Sequence, residues 1–132
     1  MNMAVQVMPY DKVGGADGVR RLVKAFYDIV ESDPAGAPLM VMHNQGHGLA
    51  HAREAQFEFL SGFLGGPQLY VEHHGHSNVR RMHAHLAVTK VERDSWLACM
   101  AKALAAHDLD DATRAALFTH FTRVADMLVN RP

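Results

Sequence analysis

The 132 residues are enough for one domain with one hydrophobic core, and 48% of them are hydrophobic, as in an ordinary globular protein. The 13 basic and 14 acidic residues give a net charge of −1 with neutral histidines, and the basic residues are scattered, so neither a nucleic-acid partner nor an anionic membrane is expected. The single cysteine, Cys99, excludes an internal disulfide, and no signal peptide or apolar run near ~20 residues is found, which favours a cytoplasmic location.

Helical periodicity dominates the first half of the chain, and no segment shows convincing strand alternation. A first long helix is predicted between Gly14-Gly15 and Pro34, and a second from about Leu49 to Leu64, where Gly65-Gly66-Pro67 ends it. The inward face of the first is predicted to hold Val19, Leu22, Val23, Phe26, Tyr27, Ile29 and Val30. The inward face of the second is predicted to hold Leu49, Ala52, Gln56, Phe59, Leu60 and Phe63.

The segment 68–78 is polar and is predicted to be irregular, and a short helix is predicted for 79–83. Thr89 and Glu92 have the spacing of a capping box, and the helix that they open is predicted to turn one face inward. That face holds Trp96, Leu97, Met100, Ala101 and Leu104, and Cys99 on the same helix is expected to be buried and inert.

Asp110 or Asp111 is predicted to open the last helix. Its inward residues are Leu117, Phe118, Phe121, Val124, Ala125 and Leu128. The sequence therefore predicts an all-α protein with about four substantial helices, as a single domain over 1–132 in which 1–9 form an N-terminal extension.

Hydrogen-bonding side chains lie on or beside the predicted apolar faces. Tyr27, Gln56, Trp96 and His43 are interpreted as donors, and burying them costs stability unless something accepts from them. An all-α domain of this size can enclose a flat apolar cofactor between its helices. A small anionic or strongly polarised ligand in such a pocket would accept the hydrogen bonds.

Three stretches together resemble the truncated haemoglobins of group II: KVGGADGVRRLVKAFYDIVESDP, FEFLSGFLGGPQLYVEHHGH and HAHLAVTKVERDSWLACM. The resemblance covers nearly the whole chain, and FLSGFLGGP with the His-x(12)-Trp spacing is specific in combination. It implies a short globin fold, two helices packed on two, with haem b between them. The family's proximal iron ligand lies thirteen residues before its tryptophan, so the resemblance implies that His83 binds the iron and His85 does not. Ala84-His85-Leu86 replaces the usual Ala-Pro-Phe after the ligand.

The resemblance also implies the distal side of the pocket. Tyr27 matches the family's distal tyrosine, and Trp96 matches the tryptophan that marks groups II and III. His43 falls where the family places Phe, Tyr or His. Ala52 matches the position of the distal histidine of ordinary globins, where a small side chain leaves a path for ligands. The other residues expected to contact the haem on these faces are Gln56, Phe59 and Leu86.

The rim of the pocket needs cationic or hydroxyl partners for the haem propionates. Arg80 and Arg81 lie just before the proposed ligand, and Tyr70 and His76 match family positions that border the haem. Met82 stands where the family often has arginine, so either arginine is a candidate for the propionate partner.

Other histidines have alternative interpretations. His73, His74 and His76 are expected in a solvated loop at the haem rim, with a zinc site as the alternative. His47 and His51, at i and i+4, are expected on the surface.

The leading functional hypothesis is a haem globin that reversibly binds O₂, and CO or NO, for storage, transport or sensing. The alternative is a redox enzyme that oxidises nitric oxide or uses peroxide, which would need an external reductase because the chain contains no flavin or nicotinamide domain. A more distant alternative is a non-haem helical bundle with a histidine-bound metal. A homodimer is left open.

Overall fold

The computed structural model describes residues 7–132, and every regular element in that range is helical. The helices are α1 Pro9–Lys12, α2 Gly15–Ser32, α3 Ala37–Gln45, α4 Leu49–Phe63, α5 Leu69–His74, α6 Val79–Met82, α7 Lys90–Ala106 and α8 Asp111–Leu128. A single 3₁₀ turn, Pro34–Gly36, joins α2 to α3. The first six residues of the predicted N-terminal extension lie outside the described residues, and its last residue, Pro9, begins α1.

Four long helices form two layers. Helix α2 packs against both α4 and α7, and α7 packs against α8, so the pair α2/α4 lies on the pair α7/α8. The all-α, two-on-two prediction is confirmed. The four long helices are also the ones that the periodicity predicted.

The buried face of α2 follows the predicted stripe. Val19, Leu22, Phe26 and Val30 are at most 1% exposed, whereas Ile29 at the edge of the stripe is only half-buried. Burying one such side chain stabilises the fold by about 1.5–3 kcal/mol, so α2 is the central helix of the core.

Helix α4 begins at Leu49 and ends at Phe63, within one residue of the prediction. Gly65 follows with a φ of +96°, in the left-handed region that favours glycine, which explains the sharp end of the helix. The predicted inward face was incomplete, because Phe57, Glu58 and Ser61 are also buried. Helix α4 has neighbours on more than one side, so its buried arc is wider than a single stripe.

The capping box that begins α7 is confirmed. Thr89 Oγ1 accepts from the Val91 amide at 3.1 Å, and the Glu92 carboxylate accepts from the Thr89 amide at 2.7 Å. Cys99 is buried, as predicted, but the inclusion of Ala101 in the inward face was wrong because Ala101 is exposed. Ser95 and Ala103 are buried instead, and Ser95 Oγ donates to the Ala35 carbonyl in the 3₁₀ turn at 2.6 Å, so α7 has neighbours on more than one side.

The last helix begins as predicted, with the Asp110 carboxylate accepting from the Thr113 amide at 2.6 Å. Three shorter helices, α1, α3 and α5, were not predicted, and α5 lies in the segment expected to be irregular. Such short helices are stabilised by tertiary packing rather than by their own propensity. No helix among residues 7–132 combines the length and the apolar character needed to cross a membrane.

Candidate functional site

A cavity of about 410 Å³ opens between α4, α8 and the segment around α6. Its volume lies within the range of small-molecule and cofactor pockets. The predicted site residues that line it are Tyr27, His43, Ala52, Gln56, Phe59, Tyr70, His76, Arg81, His83, Leu86 and Trp96. Arg80 is the predicted site residue that does not line the cavity.

His83 follows directly after α6 and lines one wall of the cavity. Its Nδ1 lies 2.8 Å from the Val79 carbonyl, and because a carbonyl can only accept, Nδ1 carries the hydrogen. The neutral ring therefore has its lone pair on Nε2. Burial lowers the pKa of His83, so the ring is neutral near pH 7. A neutral imidazole oriented through Nδ1 by a backbone carbonyl has the form in which histidine binds metals.

Tyr27 lies deep in the cavity and is 2% exposed. Its ring packs edge-on against Phe26, with the ring centres 4.8 Å apart, and against His43 at 5.8 Å. Burial raises the pKa of its hydroxyl, so the group is a neutral phenol that can donate a hydrogen bond. Within residues 7–132, no hydrogen bond is made by this hydroxyl, and since no buried side-chain oxygen there lacks a partner, the hydroxyl is open to the cavity.

Trp96 belongs to an aromatic wall that runs between the two layers. Its ring lies 5.3 Å from Phe26 and 5.5 Å from Phe121, and Phe121 in turn stacks on Phe63 at 5.5 Å. The indole N–H of Trp96, like the Tyr27 hydroxyl, makes no hydrogen bond within the described part of the chain. The wall thus holds two donors in fixed rings, which lose little entropy when they bind a ligand.

His43 differs from the donor that the sequence predicts. Its Nδ1 donates to the Leu39 carbonyl at 2.7 Å, one turn earlier in α3. Burial, and then the nearby His83, lower the pKa of His43, so the ring is neutral and its Nε2 is an acceptor. A backbone bond that the sequence does not show thus determines the tautomer, so His43 donates to its own helix and offers the cavity an acceptor.

The rim of the cavity separates the two candidate arginines. Arg81 lines the cavity, whereas Arg80 donates from Nε to the Met127 carbonyl at 3.3 Å and is directed toward the end of α8. Tyr70 stacks on His74 with ring centres 4.1 Å apart and lies 5.7 Å from His76. Burial and the Arg81 charge lower the pKa of His76, and Arg81 is the one arginine among the residues that line the cavity.

Three further histidines line the mouth of the cavity. Sequence reasoning did not assign them to it. His47 lies 5.0 Å from His51 and 4.9 Å from His85, ring centre to ring centre. His47 and His51 are exposed, as predicted, and their i, i+4 spacing was the available signal. No group of three or more His, Cys, Asp or Glu in residues 7–132 is arranged to hold a metal ion.

Glu58 is a buried carboxylate that sequence reasoning also missed. It is 6% exposed, and it accepts from His73 Nδ1 and from His74 Nε2, the latter at 3.2 Å. The carboxylate raises the pKa of His73. These bonds fix α5, which carries Tyr70 and His74, against α4 at the rim of the cavity.

The residues present fit a haem. One neutral imidazole, from His83, lines a cavity that also holds two unpaired donors, Tyr27 and Trp96, and much of the remaining lining is aromatic and apolar. A cationic side chain, Arg81, stands at the rim, where acidic substituents of a porphyrin would meet solvent. Two helical layers around such a pocket define a truncated, two-on-two globin.

Comparison with known proteins agrees with that class. A family model described as bacterial-like globin matches residues 8–130. Group 2 truncated hemoglobin YjbI of Bacillus subtilis (strain 168) is 33% identical over 123 residues, which cover 93% of this chain and 89% of that protein.

Two solved structures extend the similarity to three dimensions. A cold-adapted truncated hemoglobin from the Antarctic marine bacterium Pseudoalteromonas haloplanktis TAC125 matches with a TM-score of 0.89 at 36% identity, covering 96% of this chain and 100% of that one. A truncated oxygen-avid haemoglobin from Bacillus subtilis matches with a TM-score of 0.79 at 33% identity, covering 94% and 100%. The chain belongs to the bacterial-like globin family, in its group II truncated haemoglobins. Membership of this family implies haem binding.

Proposed function

We propose that the chain holds haem b through His83 Nε2 and reversibly binds O₂, and also CO and NO, on the side that faces Tyr27 and Trp96. When bound, the haem iron supplies a coordination position for one diatomic ligand. The similarity to a haemoglobin described as oxygen-avid supports O₂ as a ligand.

The observation that carries the proposal is the hydrogen bond from His83 Nδ1 to the Val79 carbonyl at 2.8 Å. It selects the tautomer whose Nε2 is a lone pair and orients the ring on the wall of the cavity. His85, two residues later, is exposed and packs on His47 at the mouth. Neither its tautomer nor its orientation is fixed in the way that the Val79 carbonyl fixes those of His83.

Tyr27 and Trp96 are proposed to donate hydrogen bonds to the ligand. Both rings are fixed by neighbouring aromatic side chains, so their donors are preorganised and need little reorganisation. A hydrogen bond from such a donor is worth about 1–3 kcal/mol where the acceptor is partly charged, or about tenfold to a hundredfold in release rate. His43 packs edge-on against the Tyr27 ring, and its Nδ1 is occupied by the Leu39 carbonyl, so it does not compete with Tyr27 as a donor to the ligand.

Arg81, with Tyr70 and His76, is proposed to bind the propionates at the rim. All three line the cavity, and Arg81 is the one arginine among its lining residues. Arg80 is committed to the end of α8 and is not assigned this role.

The test is the absorption spectrum of the purified chain in its oxidised, reduced and CO-bound forms. The wild-type protein is expected to retain haem and to bind CO reversibly, and His83→Ala is expected to lose haem or its normal reduced spectrum. His85→Ala is the matched control, because it removes an imidazole from the same cavity and is expected to keep the wild-type spectrum. A colourless wild-type protein after incubation with haem, or an unaltered spectrum in His83→Ala, would contradict the proposal.

A cytoplasmic location is proposed on the strength of the single cysteine, which is buried and unpaired in the described residues. Fractionation of cells that express the chain, followed by haem absorbance in the soluble fraction, tests the location. An external reductase and a homodimer stay predictions, to be tested by turnover of nitric oxide with added reductases and by sedimentation.

A further inference from the structure

Two arginines bridge α2 and α4 in opposite directions. Arg53 on α4 reaches back to α2, where its Nη2 donates to Asp28 at 3.0 Å and to Glu31 at 2.9 Å. Arg20 on α2 reaches forward to α4 and pairs with Glu54 at 3.1 Å. The two bridges have similar chemistry, but only the first one lies next to a residue of the cavity.

Arg53 covers the ring of Tyr27. The guanidinium carbon lies 5.6 Å from the centre of that ring, within the ~6 Å at which a cation is attracted to an aromatic face. Other neighbours of the ring are Phe26 and His43, each packed edge-on. The Arg53 side chain is 30% exposed whereas Tyr27 is 2% exposed, so Arg53 is the more superficial of the two.

We propose that Arg53 is a positioning residue for Tyr27, one that fixes the direction of the Tyr27 hydroxyl in the cavity and thereby slows ligand release. The inference rests on the proposed function, because a release rate exists only if the cavity holds haem and a ligand. It assigns a role to a side chain that does not itself line the cavity.

The geometry of the bridge explains how Arg53 acts. A guanidinium is a planar fork, and when it bonds two carboxylates one turn apart on α2 it is held in one orientation. Asp28 is also adjacent to Tyr27 in the chain and is bonded to Lys24 at 2.6 Å, so the bridge holds the backbone beside the tyrosine. The ring therefore cannot swing toward the surface unless Arg53 leaves its partners.

The charge of Arg53 also favours hydrogen-bond donation by the Tyr27 hydroxyl. It lowers the pKa of Tyr27, against the larger effect of burial, which raises it. A cation near a phenol makes its O–H a stronger hydrogen-bond donor. Loss of Arg53 would thus weaken the donor as well as loosen its position.

Arg20 supplies the matched control. It too forms a bridge between α2 and α4, and its guanidinium carbon lies 3.7 Å from the centre of an aromatic ring, that of Phe57. Neither Arg20 nor Phe57 lines the cavity. Arg20→Met therefore removes a bridge of the same kind, with one carboxylate partner where Arg53 has two, and a shorter cation–π contact from the same helix pair without touching Tyr27.

The first measurement is the rate of O₂ or CO release from the haem-loaded chain. Arg53→Met is expected to release ligand roughly two- to tenfold faster, from the usual size of a cation–π contact, and Arg20→Met is expected to match the wild type. In a Tyr27→Phe background, Arg53→Met is expected to add nothing, because the hydroxyl that it positions is gone. Equal effects of the two arginine variants, or an undiminished effect of Arg53→Met without the tyrosine hydroxyl, would overturn the inference.

The second measurement does not depend on ligand release. The chain contains three tyrosines, so ring-labelled protein as purified gives few NMR signals, and Tyr27→Phe identifies that of Tyr27. Arg53→Met is expected to shift and broaden this signal alone, and Glu31→Gln, which removes one carboxylate from the fork, is expected to do so more weakly. An unmoved Tyr27 signal in both variants overturns the inference. If the wild type takes up no haem, the proposed function fails, and the tyrosine signal alone decides the role of Arg53.

Discussion

The deep wall of the cavity and its rim are built in opposite ways. The wall consists of rings fixed by other rings, among them Tyr27 at 2% exposure, and its two donors make no hydrogen bond within residues 7–132. The rim consists of histidines and an arginine that are largely exposed, and the most deeply buried group behind it, Glu58, is fully occupied by His73 and His74. Donors that are left unpaired in a buried wall are available to a ligand, whereas the polar groups of the rim mainly hold one another in place.

The largest expected effect is that of a wall substitution on the rate of O₂ release. Tyr27→Phe removes one hydroxyl and no ring, so the aromatic packing is kept while the donor is lost. We expect O₂ release to become about tenfold to a hundredfold faster, because a hydrogen bond to a partly charged acceptor is worth about 1–3 kcal/mol. Stopped-flow displacement of O₂ by CO measures the rate.

Trp96→Phe gives the companion measurement, since it removes the indole N–H from the same wall. It also replaces a larger ring that packs between Phe26 and Phe121, so thermal stability is measured beside the rate. If neither variant changes O₂ release, the two donors do not act on the ligand, and the contrast between wall and rim has no functional meaning.

The wall was accessible to sequence reasoning because burial and helical periodicity coincide there. Val19, Leu22 and Phe26 mark a stripe on α2, and Tyr27 lies on its edge, so a buried hydroxyl could be inferred from the order of the residues alone. The resemblance to the truncated haemoglobins, through the His-x(12)-Trp spacing, singled out His83 and Trp96, and both line the cavity.

The rim was accessible only in part: Tyr70, His76 and Arg81 were predicted and line the cavity, but the contacts that hold the rim together are tertiary. Glu58 lies in the middle of an apolar stretch, and its burial depends on two histidines 15 and 16 residues away, in a helix too short to be predicted. Arg80 and Arg81 are adjacent on a helix of four residues, and neighbours on a helix point roughly 100° apart. Only the position of α8 shows which of the two arginines is occupied elsewhere.

An intermediate effect is expected for the pH dependence of the rim. Because Glu58 raises the pKa of His73 in the folded chain, this pair stabilises the fold at pH values below the unfolded histidine pKa of about 6.5, and the stabilisation is lost as the pH rises through the raised pKa. His43 and His83 act in the opposite sense, since their lowered pKa values cost stability as the pH falls.

Comparison of variants isolates the contribution of the pair. Urea unfolding at several pH values is expected to show that Glu58→Gln and His73→Gln both remove the same part of the pH dependence. Asp126→Asn on α8 is the control, because Asp126 pairs with Arg93 and is not among the groups that raise the pKa of His73. Parallel curves for the wild type and Glu58→Gln would show that the pair does not couple folding to pH.

The smallest expected effect concerns the two arginines. Arg81 lines the cavity and is exposed, so an ion pair with a propionate is screened by water, and Arg81→Gln is expected to speed haem loss by only roughly two- to fivefold. Arg80→Gln is expected to leave haem loss unchanged and to loosen the end of α8, whose Met127 carbonyl it would release. Transfer of haem to an excess of a scavenging apoprotein gives the rate, and hydrogen exchange in 121–128 reports on α8. Faster haem loss in Arg80→Gln than in Arg81→Gln would reverse the assignment, and Arg80 would then be the partner of the propionate.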